Sequence, residues 1–246
     1  MKNFLTVFII LISFVKAQDL NVGFGAYFQT QPYKDTKAFI LPTPVIFYDN
    51  GFVYARWTRF GVYFLGEKKE NYAWGFSLTL EPRPNGYSPS DSKYLKGLSE
   101  KKSSYEGGLA FTFYKEGYYL EAMYLYDILK RYNSYITKTE MGFEKKFDKI
   151  SFYPSVVLVY ESKKFTSYYY GISSDEASKS IYDIYNPNGG IRIALQTYIN
   201  YKINKKISLF CNFRADKISK EAKNSPIVDK NIVYSSLVSF LYKFDF

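Results

Sequence analysis

Charged side chains recur at one parity of a sequence that alternates apolar and polar residues: Glu81, Glu106, Glu121, Glu140, Glu144 and Glu161, with Lys138, Lys146, Arg192, Lys202 and Arg214. Residues two apart in a strand share a face, so these charges are predicted to converge on one surface. There they line a water-filled passage or pair with one another. The signs nearly cancel, which favours pairing, because a selective channel more naturally carries one dominant sign. Other reactive groups are scarce, since the 246 residues include no His and a single Cys, Cys211. Without imidazole there is no Ser-His or Cys-His nucleophile pair and no His-containing zinc site. A lone Cys removes an intrachain disulfide and a CxxC redox motif. Ser-Lys chemistry is formally open at Ser162-Lys163 and Ser178-Lys179. Both read as solvated loop positions, where Lys stays protonated at neutral pH and is no base. Asp175-Glu176 likewise reads as loop solvation. No catalytic, cofactor-binding or metal-ligating residue is assigned, and the protein is expected not to be an enzyme.

The elements that carry these charges have a period of two. Counting back from the C-terminus, Phe246, Phe244, Tyr242, Phe240, Val238, Ser236, Tyr234 and Ile232 fall on one face. Asp245, Lys243, Ser239, Ser235 and Asn231 fall on the other, interrupted by Leu241, Leu237 and Val233. That is a strand with one oily face and one mainly polar face. The same rhythm marks Leu20 to Phe28, Tyr72 to Glu81, Tyr105 to Phe113, Tyr118 to Tyr126, Tyr135 to Phe147, Ile150 to Tyr160, Ile191 to Lys202 and Ile207 to Ala215. These runs exceed the roughly 5 to 6 residues of an average globular strand and approach the roughly 9 to 11 of a tilted membrane strand. The chain contains 27 Tyr, 22 Phe and 2 Trp, yet its mean hydropathy is −0.25. A transmembrane antiparallel up-and-down β-barrel reconciles the two, with rings on the lipid face and at the interfaces and polar residues in the lumen and loops. Cys211 shares parity with Leu209 and Phe213 and is placed among the lipid-facing residues as a small hydrophobe.

Residues 1–17 have a positive start, an apolar run from Phe4 to Val15 and the end Val15-Lys16-Ala17. They read as a cleaved secretory signal peptide too short to span a bilayer. Residues 18–246 then form one barrel domain in the outer membrane of a Gram-negative envelope. Connections alternate in length. Asp49-Asn50-Gly51, Lys115-Glu116-Gly117, Phe147-Asp148-Lys149 and Ile203-Asn204-Lys205 are tight turns expected on the periplasmic side. Residues 83–104, 162–189 and 218–230 are long loops expected outside. Residues 51–66 read as one long strand or as two short ones broken near Thr58-Arg59, and because both barrel ends must lie in the periplasm the strand number is even. Two strands there make about 12 in all, with 10 if a weak N-terminal element stays outside the ladder.

Several short motifs carry a family likeness. Leu41-Pro42-Thr43-Pro44-Val45-Ile46 is followed by Leu95-Lys96-Gly97-Leu98 and Tyr105-Glu106-Gly107-Gly108, then by Tyr169-Tyr170-Gly171-Ile172-Ser173 with Glu176-Ala177, and by Asn224-Ser225-Pro226-Ile227-Val228. In order and spacing, from about Val22 to Phe246, they resemble the MipA/OmpV family of outer-membrane proteins. The terminal Phe240, Tyr242, Phe244 and Phe246 resemble the C-terminal signal read by the barrel-assembly machinery. The family resemblance implies an outer-membrane barrel and a scaffold role between a lytic transglycosylase and a bifunctional penicillin-binding protein, with no catalytic residues to carry over. Alternatives are a small-solute, porin-like channel through the charged lumen and a surface-binding or adhesion barrel acting through Tyr168 to Tyr170. The basic balance fits attraction to lipopolysaccharide phosphates, although the Lys-rich turns read first as solvated faces, and no nucleic-acid partner is expected.

Overall fold

The computed structural model describes residues 20–244. The expected signal peptide and Phe246 lie outside the described residues. The strands are β1 (Leu20–Gln29), β2 (Phe39–Asp49), β3 (Val53–Arg56), β4 (Arg59–Lys68), β5 (Tyr72–Arg83), β6 (Ser104–Lys115) and β7 (Tyr118–Asp127), then β8 (Tyr135–Phe143), β9 (Lys145–Phe147), β10 (Ile150–Glu161), β11 (Gly190–Lys202), β12 (Ile207–Lys217) and β13 (Ile232–Phe244). β8 and β9 pair with β10 in one unbroken register on either side of Glu144, so they are one stave. The result is a closed barrel of 12 antiparallel staves in up-and-down order, as the parity of the sequence requires. It closes where β1 pairs with β13, from Leu20 opposite Phe244 to Gln29 opposite Ser235. Closure removes the two end edges that an open sheet would expose in a membrane.

Alternation puts large apolar side chains outside. Phe24, Leu78, Leu195 and Phe240 are each about 60 % exposed. Such a stripe is out of place on a water-soluble monomer and suited to hydrocarbon. Phe240, Tyr242 and Phe244 belong to it, and Cys211 lies on the same outward parity. The exceptions in β13 have a physical reason. Leu237 and Leu241 face inward and pack with Val45 and Phe210, against Tyr27, Phe47, Trp57 and Tyr198, as an apolar patch on one side of the lumen.

The staves turn where their residues allow it. In the β6–β7 hairpin Glu116 and Gly117 both take positive φ, 50° and 88°, the geometry that matches strand twist in a two-residue turn. Asn50 accepts the backbone N–H groups of Phe52 and Val53 at 2.9 and 2.7 Å and so closes the β2–β3 turn. The ambiguous segment resolves into two strands of unequal length. β3 has only 4 residues before Trp57, at φ 60°, turns the chain into the 10-residue β4. One stave therefore stops partway up the wall.

Candidate functional site

The lumen holds a cavity of about 2070 Å³, large enough to take in another molecule. Its ceiling includes Tyr33, Tyr170 and Ile218, its middle Arg59, Glu121 and Glu140, and its lower end runs to Phe52 and Lys68 at the short-turn rim. The ceiling is built by the long loops, which fold inward over the mouth. Helix α1 (Lys163–Tyr170) starts at Ser162, whose Oγ accepts the Phe165 N–H. Helix α2 (Ser174–Lys179) starts in a capping box, in which Ser173 Oγ accepts the Glu176 N–H and Glu176 accepts the Ser173 N–H at 2.9 Å. A third short helix, α3 (Lys220–Lys223), is capped by Ser219. Leu95, Phe165, Tyr169, Ile172 and Ile227 are almost fully buried where these loops meet. Tyr33 packs edge-to-face on Tyr87 at 4.7 Å, and Tyr132 packs on Phe165 at 5.0 Å. Burial at about 2 kcal/mol per large apolar side chain holds such a cap shut against loop entropy.

The loop motifs of the family likeness meet here. Leu95 and Leu98 flank Gly97, which takes φ +85°, and a Cβ at Gly97 would stand 2.0 Å from the Lys179 carbonyl oxygen. Tyr170 lends its carbonyl to Ser225 Oγ at 2.6 Å, and Val228 forms a bridge with Tyr33. Glu176 accepts from Lys101 Nζ at 2.7 Å and from the Ser99 N–H at 3.0 Å. Burial opposes its ionisation, but these hydrogen bonds and that of Ser173 outweigh burial and hold its carboxyl down at about 2. Ser162 and Ser173 are thus occupied as helix caps and Glu176 as a tie between loops.

Beneath the cap the charges form pairs. Arg83 grips Glu106 with two hydrogen bonds, at 3.0 and 2.6 Å, while Tyr132 donates to Glu106 at 2.6 Å. Glu81 accepts from Lys138 at 3.2 Å. Arg192 lies between Glu161 at 3.2 Å and Asp216 at 3.7 Å, and Arg214 forks onto Asp216 at 2.7 and 2.6 Å. Lower down, Arg59 donates to Glu121 at 2.6 Å, and Arg56 reaches Glu121 and Asp49. Glu140 is held by Ser155, Gln196 and Tyr119. Of the sequence-predicted charges, Glu81, Glu106, Glu121, Glu140, Glu161, Lys138, Arg192 and Arg214 therefore lie inside, and Glu144 sits at the lower rim against Tyr153.

Two predicted lumen charges are corrected. Lys146 and Lys202 have inward parity, but both lie at the short-turn ends of their staves, still paired there, and stand exposed to solvent at the rim, with Lys146 at 67 %. The tyrosines proposed as surface anchors are corrected as well, because Tyr169 and Tyr170 are buried in the cap. Sequence reading missed Asp49, Arg56, Arg59, Arg83, Asp127 and Asp216. Arg83 and Asp216 share parity with Glu81 and Arg214, so extending those strands by two residues and by one would have found them. Arg56 and Arg59 fall in the segment whose strand division the pattern left open.

Comparison with known proteins places this architecture. The family model of the MltA-interacting protein MipA matches residues 22–244. The chain belongs to the MipA family. Within it, the chain is 23 % identical to the putative outer membrane protein YiaT of Escherichia coli K12, over 93 % of this chain and 92 % of that one. It is 25 % identical to the MltA-interacting protein of the same organism, over 91 % and 90 %. These MipA relatives are named as outer-membrane or interacting proteins, and the barrel's apolar outer stripe fits the same membrane. Among solved structures, Pseudomonas putida OprB is similar as a barrel, at TM-score 0.42 and 9 % identity, with 76 % of this chain and 48 % of that one covered.

Proposed function

We propose that this MipA-family barrel is a non-enzymatic scaffold of the outer membrane that presents its short-turn rim to murein-processing enzymes in the periplasm. The observation that carries the reading is the asymmetry of the two ends. The long-loop mouth is covered by a packed apolar cap over buried ion pairs, while the short-turn end of the lumen is lined by Phe52 and Lys68, both exposed. A barrel closed to the outside offers its accessible surface, the lower rim and floor, to the periplasm. A relative named for its interaction with MltA supports a partner on that side, and a lytic transglycosylase with a bifunctional penicillin-binding protein is the pair proposed for this chain. Its remaining contacts are membrane lipid, lipopolysaccharide and the barrel-assembly machinery that reads the terminal aromatics. Crosslinking of intact envelopes followed by affinity capture tests the reading. Enrichment of a murein hydrolase or synthase is expected, and its absence together with unchanged murein in a deletion strain would reject it.

A second reading, a small-solute channel, draws on the size of the polar lumen. It requires discrete conductance steps from the purified barrel in a planar bilayer, whereas the scaffold reading expects a folded but electrically silent protein.

A further inference from the structure

The short stave leaves a gap in the wall, and proline marks both of its edges. β3 pairs with β2 only from Phe47 to Asp49, and the last backbone bond between them runs from the Trp57 N–H to the Ile46 carbonyl. In a strand, N–H and carbonyl of one residue point to the same side. The Ile46 carbonyl points toward β3, so residues of the same parity, Pro44 and Pro42, point the same way, above the hairpin where no strand follows. Across the gap, Tyr63 bonds toward β3, hence Phe60 faces β5 and pairs with Leu80. Pro82 has the parity of Leu80 and lies beyond the last β4 partner. No backbone hydrogen bond joins these two edges among the described residues. All three prolines therefore occupy positions whose N–H would have been left without a partner. Proline there also denies an incoming strand the donors at Pro42, Pro44 and Pro82, which excludes edge-to-edge pairing as the use of the gap.

The surroundings identify what fits. Outside, the gap is flanked by Ile40, Phe60 and Leu78, which are 67 %, 47 % and 59 % exposed and belong to the hydrocarbon-facing stripe. Leu41 has inward parity yet is 47 % exposed, and together with Trp57 and Pro82 it lines the central cavity. Behind them lies the lumen's apolar patch, where Val45, Phe210, Leu237 and Leu241 pack with Tyr27 and Trp57. A continuous apolar surface thus runs from the bilayer through the wall into an otherwise charged lumen. We propose that the gap between β2 and β5 is a lateral portal, through which the acyl-type chain of an amphipathic molecule enters from the membrane and lodges against this patch. The inference does not depend on the scaffold reading.

The two tryptophans allow a direct test in the full-length mature barrel. Trp74→Phe leaves Trp57 at the portal, and Trp57→Phe leaves Trp74 on the outward parity of β5. Each variant is placed in phosphatidylcholine nanodiscs and titrated with 9,10-dibromostearic acid, and in parallel each is placed in discs of phosphatidylcholine brominated along its acyl chains. Saturable loss of at least half of the Trp57 emission is expected with the free acid, while Trp74 emission falls in proportion to the bromine in the membrane. Leu41→Arg should weaken the Trp57 response at least tenfold. Quenching of Trp57 by brominated phospholipid alone, if removed by Leu41→Arg, keeps the portal and names a membrane lipid as the source. Trp57 that is unquenched by either probe, or quenched in proportion like Trp74, would overturn the proposal. The contrast between the single-tryptophan proteins decides this even if Leu41→Arg fails to fold.

Discussion

The two ends of the barrel are built from similar charges and rings but hold together differently. At the long-loop end, Arg83, Glu106, Glu161 and Glu176 each have nearly buried side chains and specific partners, and Phe165, Tyr169 and Ile227 seal the mouth above them. At the short-turn end, Glu144–Lys146 and Glu67–Lys69 pair at similar distances, 3.0 and 2.9 Å, but their lysines are 67 % and 57 % exposed. A similar N···O distance therefore has a different consequence, because a buried carboxylate left without its partner cannot recover hydration and an exposed one can. Cohesion resides in the cap and in the charge layer beneath it, while the rim pairs are screened by solvent and add little.

The largest break in this contrast comes from Arg83→Ala. It strands Glu106 in the layer under the cap and is expected to cost about 3–5 kcal/mol, read from urea unfolding of the barrel in lipid vesicles. A loss below about 1 kcal/mol would mean that water reaches Glu106 and the ends are alike. Phe165→Ala removes the central ring of the cap. A loss of about 3 kcal/mol is expected, with faster protease cleavage in residues 162–189 and unchanged cleavage at the short turns. Ser173→Ala removes the cap of α2 at about 1 kcal/mol, detectable as greater backbone hydrogen exchange in residues 174–179.

Acid sharpens the contrast. Glu176 is depressed in the folded chain, to about 2 from 4.5, so its contribution is present above the unfolded value and is lost as pH falls from 4.5 toward 2. Cleavage of the cap loops by an acid-active protease should rise through that window in the native chain. In Glu176→Gln the rise should be absent and cleavage high throughout. Smallest of all is Lys146→Ala, expected within about 0.5 kcal/mol of the parent. A larger loss would place part of the cohesion at the rim.

The wall was legible because its signal is local. A strand exposes its residues alternately whatever it pairs with, so Ile232 to Phe244 declares its oily face from sequence alone, and the parity of both barrel ends makes the number of staves even, with 12 or 10 left open by the pattern. Glu81, Glu106 and Arg214 could be assigned to the interior for the same reason. Lys146 and Lys202 could not be separated from them, because parity says which way a side chain points and not how near the rim it stands.

What the sequence determined by itself is the barrel, the stripe that faces lipid and the exclusion of histidine chemistry. Tertiary structure alone decided which acid each arginine takes, that the loops close the mouth, and that the four-residue β3 leaves proline-lined edges apart. The reason is distance along the chain. Tyr33 donates to the Tyr169 carbonyl at 3.2 Å across 136 positions, and Pro82 and the pair Pro42 and Pro44 stand on the two edges of one gap only because the β3–β4 hairpin between them stops short. No period of two carries that information, since it arises when the ladder closes and brings remote loops over one opening.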